Sequence, residues 1–129
     1  MSPRTQIGIM EWARRIESAW VTEMWLAETL GARAVEATDA REKVALVRQA
    51  RLHAWHAELW KSVAPVLHNF SLDAAVASGV RSATTPESVL EHLDEDYGAW
   101  RGEASPVAEA PIIRVLHLVS RDHEDQAGR

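Results

Sequence analysis

The sequence predicts an all-α protein: an antiparallel four-helix bundle with a short helix in the 71–85 connection. Three observations point there. Apolar residues recur at alternating spacings of four and three along 6–36 and again along about 40–69, the seam of a packed bundle. Only a tight turn separates these two stretches, which makes them antiparallel neighbours. Two later apolar stretches have helix-start signals and no strand to pair with.

The first helix, 6–36, carries the seam Ile9, Ala13, Ile16, Trp20, Glu23, Ala27, Leu30 and Ala34. Glu23 is the one member that does not suit a core. A buried carboxylate must be protonated, paired or bound to a cation. A slightly rotated helix would instead let Glu23 reach water beside Met24 and Trp20. Gly31 is expected to loosen or end the last turn. In Thr38-Asp39-Ala40-Arg41-Glu42, Asp39 can cap the next helix, with Glu42 placed as in a capping box.

The second helix, about 40–69, has the seam Ala45, Gln49, Leu52, His56, Leu59, Val63, Val66 and Phe70. Pro65 should kink it or end its regular part. In the connection, Ser71-Leu72-Asp73 can cap a short helix that Gly79 stops. Thr84-Thr85-Pro86-Glu87 opens a third helix, about 86–101, with Pro at its first position and an acid in its first turn. Its apolar face is Val89, Leu90, Leu93, Tyr97 and Trp100, and Gly102 should end it. Ser105-Pro106 or Ala110-Pro111 opens a fourth helix reaching about Gln126. Its core side is Ile112, Ile113, Leu116, Val119, Ser120 and His123.

The 129 residues suit one domain, 1–129, and leave no room for a second. A net charge of -5 gives no basis for binding nucleic acid or an anionic membrane. The absence of cysteine removes disulfides, thiolate chemistry, iron–sulfur clusters and cysteine zinc sites. Met1-Ser2-Pro3-Arg4-Thr5 has no leader-like apolar core and no run approaches membrane-span length, so the cytoplasm is the expected compartment. A helical face leaves room for a homodimer. Six tryptophans stand against one Phe and one Tyr. They are core fillers and anchors, or they line an aromatic pocket.

The candidate chemistry lies in Arg51-Leu52-His53-Ala54-Trp55-His56-Ala57-Glu58-Leu59-Trp60. Histidines three residues apart share one helix face. Counted from the turn between the first two helices, Glu23 and His56 lie at the same depth, roughly 21–24 Å at ~1.5 Å per residue. The one acid in the first seam should therefore meet the imidazole in the second. The alternative is that His53 faces solvent and His56 is a core histidine bonded to a carbonyl or to Glu23. No nucleophile triad and no glycine-rich phosphate loop occur. The run His92-Leu93-Asp94-Glu95-Asp96 reads as a solvated face.

This stretch resembles the second helix of the ferritin-like and rubrerythrin-like proteins, where a Glu-x-x-His precedes a small residue and Glu-Leu-aromatic. The resemblance covers the first two helices. It implies that His56 stands for the family's ligand histidine, Glu23 for the first-helix glutamate ligand, and His53 for the bridging glutamate. His123 matches the histidine of the fourth helix, where Ser120 replaces the glutamate. With His53 in place of a negative bridge, the resemblance implies one iron, zinc or manganese ion on Glu23, His53, His56 and His123 rather than two. Trp20, Gln49 and Trp55 would line the pocket, and the chemistry would be oxidative. The other reading is a metal-free module that binds a small apolar ligand or a protein partner.

Overall fold

A computed structural model gives the architecture, described over residues 8–65 and 85–127. It is all-helical: α1 Ile9–Glu36, α2 Ala40–Ser62, α3 Pro86–Glu103 and α4 Ala110–Ala127. No strand occurs among the described residues. Each helix packs on two others: α1 on α2 and α3, and α4 on α2 and α3. The short helix expected in the 71–85 connection, from the Ser71 cap to the Gly79 stop, lies outside the described residues. So do Val66 and Phe70 of the α2 seam.

Local chemistry sets the helix ends. The Asp39 side chain accepts from the Glu42 amide at 2.9 Å and caps α2. Thr85 accepts from the Ser88 amide at 3.1 Å and caps α3, with Pro86 at the first helical position. Ahead of α4, the Ser105 hydroxyl accepts from the Val107 and Ala108 amides while Glu109 accepts from the Ser105 amide. That closes a capped turn over 106–109, so α4 itself begins at the Ala110-Pro111 signal.

Two glycines do not act as stops. Gly31 sits inside α1, which runs on to Glu36, and Gly102 sits inside α3, which ends at Glu103. Neither backbone has positive φ, the one conformation for which glycine is needed at a helix end. α2 ends at Ser62, ahead of Pro65 and short of the expected residue 69.

The core is rich in aromatic rings. Trp60, Tyr97 and Trp100 pack against one another and Trp12 meets Trp100, with centroids 5.4–6.4 Å apart. Trp60 is fully buried, and cutting it back to alanine would cost about 3–5 kcal/mol. Ile16, Ala19 and Leu26 of α1, Val89 and Leu93 of α3, and Leu116 and Val119 of α4 complete this core. The buried stripe of α1 includes the seam residues Ala13, Ile16, Glu23, Leu30 and Ala34, while Trp20 and Ala27 are half-buried and Ile9 is 69% exposed.

The stripe of α2 is rotated by one residue from the seam read in the sequence. It buries His53, His56, Ala57 and Trp60, while Ala45, Gln49, Leu52, Leu59 and Val63 are only half-buried. Two of the four buried side chains of α2 are therefore imidazoles, and this helix cannot be held by apolar burial alone. Two ion pairs link α1 to α3: Arg15 to Glu103 at 2.9 Å and Arg33 to Glu87 at 2.7 Å. Both are partly exposed and worth little individually. Among the described residues, no helix is long and apolar enough to cross a membrane.

Candidate metal centre

Glu23 is fully buried in the middle of α1. An isolated carboxylate there would be prohibitively costly, so the charge must be met by its surroundings. Three imidazoles meet it. His53 Nδ1 lies 2.5 Å from Oε1, His56 Nδ1 lies 3.2 Å from Oε2, and His123 Nε2 lies 3.5 Å from Oε2. One possible ligand atom from each of Glu23, His53, His56 and His123 falls within 4.8 Å of all the others. All four residues are buried, with exposures of 3% or less. The rotation of α2 is what delivers two rings: both faces of the His53/His56 pair turn inward, and the rings meet edge to face.

The outer nitrogens of two imidazoles are held by carboxylates. His56 Nε2 lies 2.8 Å from Asp122 on α4, and His123 Nδ1 lies 2.5 Å from Asp94 on α3. An imidazole that donates to a carboxylate through one nitrogen presents the lone pair of the other when neutral. Those inner nitrogens, His56 Nδ1 and His123 Nε2, are buried and have no hydrogen-bond partner. They face the Glu23 carboxylate at a distance and angle that leave both polar atoms unsatisfied. Donor atoms around a tetrahedral ion at ~2.0–2.1 Å stand about 3.3 Å apart; the 3.2 and 3.5 Å contacts of His56 and His123 lie near this, while the 2.5 Å contact of His53 is shorter and would have to open to admit an ion. Carboxylates behind histidines are also the usual outer support of metal-bound imidazoles.

A second polar chain fixes the carboxylate. The Tyr97 phenol donates to Glu23 Oε2 at 2.9 Å, and the Trp60 indole donates to the Tyr97 oxygen at 2.8 Å. Tyr97 also stacks on His123.

The electrostatics follow from these contacts. Burial alone would raise the Glu23 carboxyl. The imidazoles of His123, His53 and His56 outweigh burial and hold it well below the usual carboxylate range. Burial would lower His123, but Asp94 and Glu23 outweigh it and push the imidazole up to about 9. Burial and the neighbouring Glu23 charge push the Tyr97 phenol well above its ordinary value, so it stays a donor. In the metal-free protein a proton on His123 therefore occupies the space a cation would take.

The four residues singled out in the sequence, Glu23, His53, His56 and His123, are brought together. This arrangement could hold a metal ion. The three residues expected around them sit differently. Trp20 is half-buried with Lys61 over its ring, Gln49 is half-buried, and Trp55 is 56% exposed.

Sequence reasoning missed Asp94, Asp122, Tyr97 and Trp60. Asp94 belongs to the run taken as a solvated face. Its side chain is 48% exposed, yet one oxygen reaches His123. The available signal was its position three residues before Tyr97, on the same face of α3. Asp122 adjoins His123, but about 100° of helical turn sends it to the neighbouring α2 instead.

No protein-family model, no curated protein and no solved structure matches the chain.

Proposed function

We propose that the chain is a ferritin-like, antiparallel bundle that binds one transition-metal ion on Glu23, His53, His56 and His123, and that this ion serves oxidative chemistry. The observation that carries the proposal is the convergence of four buried side chains, Glu23, His53, His56 and His123, whose possible ligand atoms all fall within 4.8 Å of one another.

Three neutral nitrogens and one carboxylate oxygen suit iron, zinc or manganese. A single ion is favoured because Glu23 is the only carboxylate among the four inner groups. Asp94 and Asp122 are occupied by the outer imidazole nitrogens. The antiparallel arrangement is supported by the α1–α3 pairs: Arg15 early in α1 meets the end of α3, and Arg33 late in α1 meets its start.

The test is metal analysis of protein purified without a histidine tag, followed by anaerobic titration with Fe(II), Mn(II) and Zn(II). The expected outcome is one equivalent bound and a rise in thermal stability. Binding of less than about a tenth of an equivalent, with no rise in stability, would remove the metal reading. The oxidative reading further requires that admitted dioxygen oxidises bound Fe(II) faster than Fe(II) in buffer.

A further inference from the structure

The bundle leaves one face of α2 uncovered. His53 and His56 turn inward, and at ~100° per residue Trp55 points about 200° away from His53. Trp55 is 56% exposed, and Val44 and Val47, earlier on the same outer side, are 51% and 42% exposed. Single exposed apolar residues need no explanation, but these three share one side of one helix.

Two charges flank the indole. Arg51 lies one turn before Trp55 and Glu58 one turn after it, all three exposed. Arg51 and Glu58 stand seven residues apart, roughly 10 Å of helix rise, too far to pair within one helix. Neither makes an ion pair or a hydrogen bond among the described residues.

The order Arg51, Trp55, Glu58 is self-complementary. Lay a second α2 antiparallel on this face, with the two-fold axis between Ala54 and Trp55. Arg51 of each copy then meets Glu58 of the other at the same height and on the same flank, and the two indoles meet beside the axis. A parallel pairing would set Arg51 against Arg51 instead. The antiparallel axis also brings Arg48 level with Lys61 of the other copy. Lys61 is turned aside, however, with its ammonium held 5.9 Å from the Trp20 ring of α1.

We propose that the outer face of α2 is the interface of a two-fold dimer of this chain, centred on Trp55 and closed by two Arg51–Glu58 pairs between copies. Such an interface uses the same patch on both subunits. The helices overlap over residues 47–62, roughly 24 Å. That is a small contact of the weak class, and a net charge of -5 on each copy opposes it. The dimer is expected to form at about 10–100 µM.

Sedimentation velocity of the metal-free full chain, followed up to about 500 µM at physiological ionic strength, measures this. Arg51→Glu and Glu58→Arg each set like charges opposite one another at both contacts. Each should weaken self-association about tenfold or more. Mixed in equal amounts, the two variants present opposite charges at both contacts. They should associate with each other about as tightly as the wild-type chain with itself. Trp55→Ala should also weaken the dimer about tenfold or more. All three positions are exposed, so each variant should keep a native circular dichroism spectrum.

A wild-type chain that stays monomeric throughout, self-association unchanged in both charge variants, or no recovery in the mixture would each overturn the proposal. The proposed metal ligands lie on the opposite side of α2, so failure of the metal reading would leave this test intact.

Discussion

Tyr97 donates to Glu23 Oε2 at 2.9 Å inside the bundle, joining α3 to the charged residue of α1. The Trp60 indole from α2 donates to the same phenolic oxygen. Tyr97→Phe would therefore remove two hydrogen bonds at once: Glu23 would lose a donor and Trp60 an acceptor, both in places water does not reach. The expected loss of stability is about 1–3 kcal/mol, measured by urea denaturation at neutral pH. The ring volume is retained, so the fold should persist. A change under about 0.5 kcal/mol would mean that the chain is not satisfied as the geometry has it.

Much of this arrangement was legible in the residues. The capping chemistry of Asp39 and of Thr85-Pro86 is local, and the helix starts fell where it put them. The depth of Glu23 and His56 followed from helix rise alone, because the turn between α1 and α2 is short. The buried stripe of α2 was not legible. Its leucines and valines outnumber its histidines, so apolar spacing chose a face one residue away from the one that packs. What turns α2 is the charge of Glu23, which meets His53 and His56, and the carboxylate of Asp122, which meets His56. These act across helices and leave no periodic trace in the chain. Gly31 and Gly102 misled for a related reason, since glycine permits a helix to end but does not require it.

Asp122 and Asp94 fix which nitrogen of His56 and of His123 faces inward. Asp122→Asn and Asp94→Asn keep the shape but weaken the pull on the imidazole proton. Each is expected to lower metal affinity by about 10- to 100-fold with a native circular dichroism spectrum. Competition with a chelating dye reads the affinity directly. Unchanged affinity in both variants would show that these carboxylates are only surface partners of the rings.

The metal-free protein should be most stable in mildly acidic solution. Glu23 is held below its unfolded value, so its contribution is present above about pH 4.5 and is lost as pH falls through its lowered folded value. His123 is raised to about 9, so its contribution is full below about pH 6.5 and is lost as pH rises through 9. Urea midpoints across pH should fall on both sides of this window, and His123→Asn should flatten the alkaline side and weaken the acid side, since His123 is also the first of the groups that hold Glu23 down. A metal ion has to displace the proton on His123, so metal affinity should rise with pH up to about 9. Affinity independent of pH between 6 and 8 would contradict a proton held there.

Removing the metal should loosen some helices more than others. The proposed ligands come from α1, α2 and α4, while α3 supplies Tyr97 and Asp94 behind them. α1 keeps an apolar stripe at Leu26, Leu30 and Ala34 that does not depend on the ion. α4 meets the cluster through His123, which is also bonded to Asp94 on α3, and through Asp122 behind His56. Chelation should therefore raise amide exchange in α4 around His123 and in α3 around Asp94, and leave the amides near Leu30 protected. At a hundredfold excess of free metal over its dissociation constant, the loss on chelation should be about 2.7 kcal/mol. Equal changes along all four helices would instead mark the ion as a requirement for global folding. No change at His123 would exclude it as a ligand.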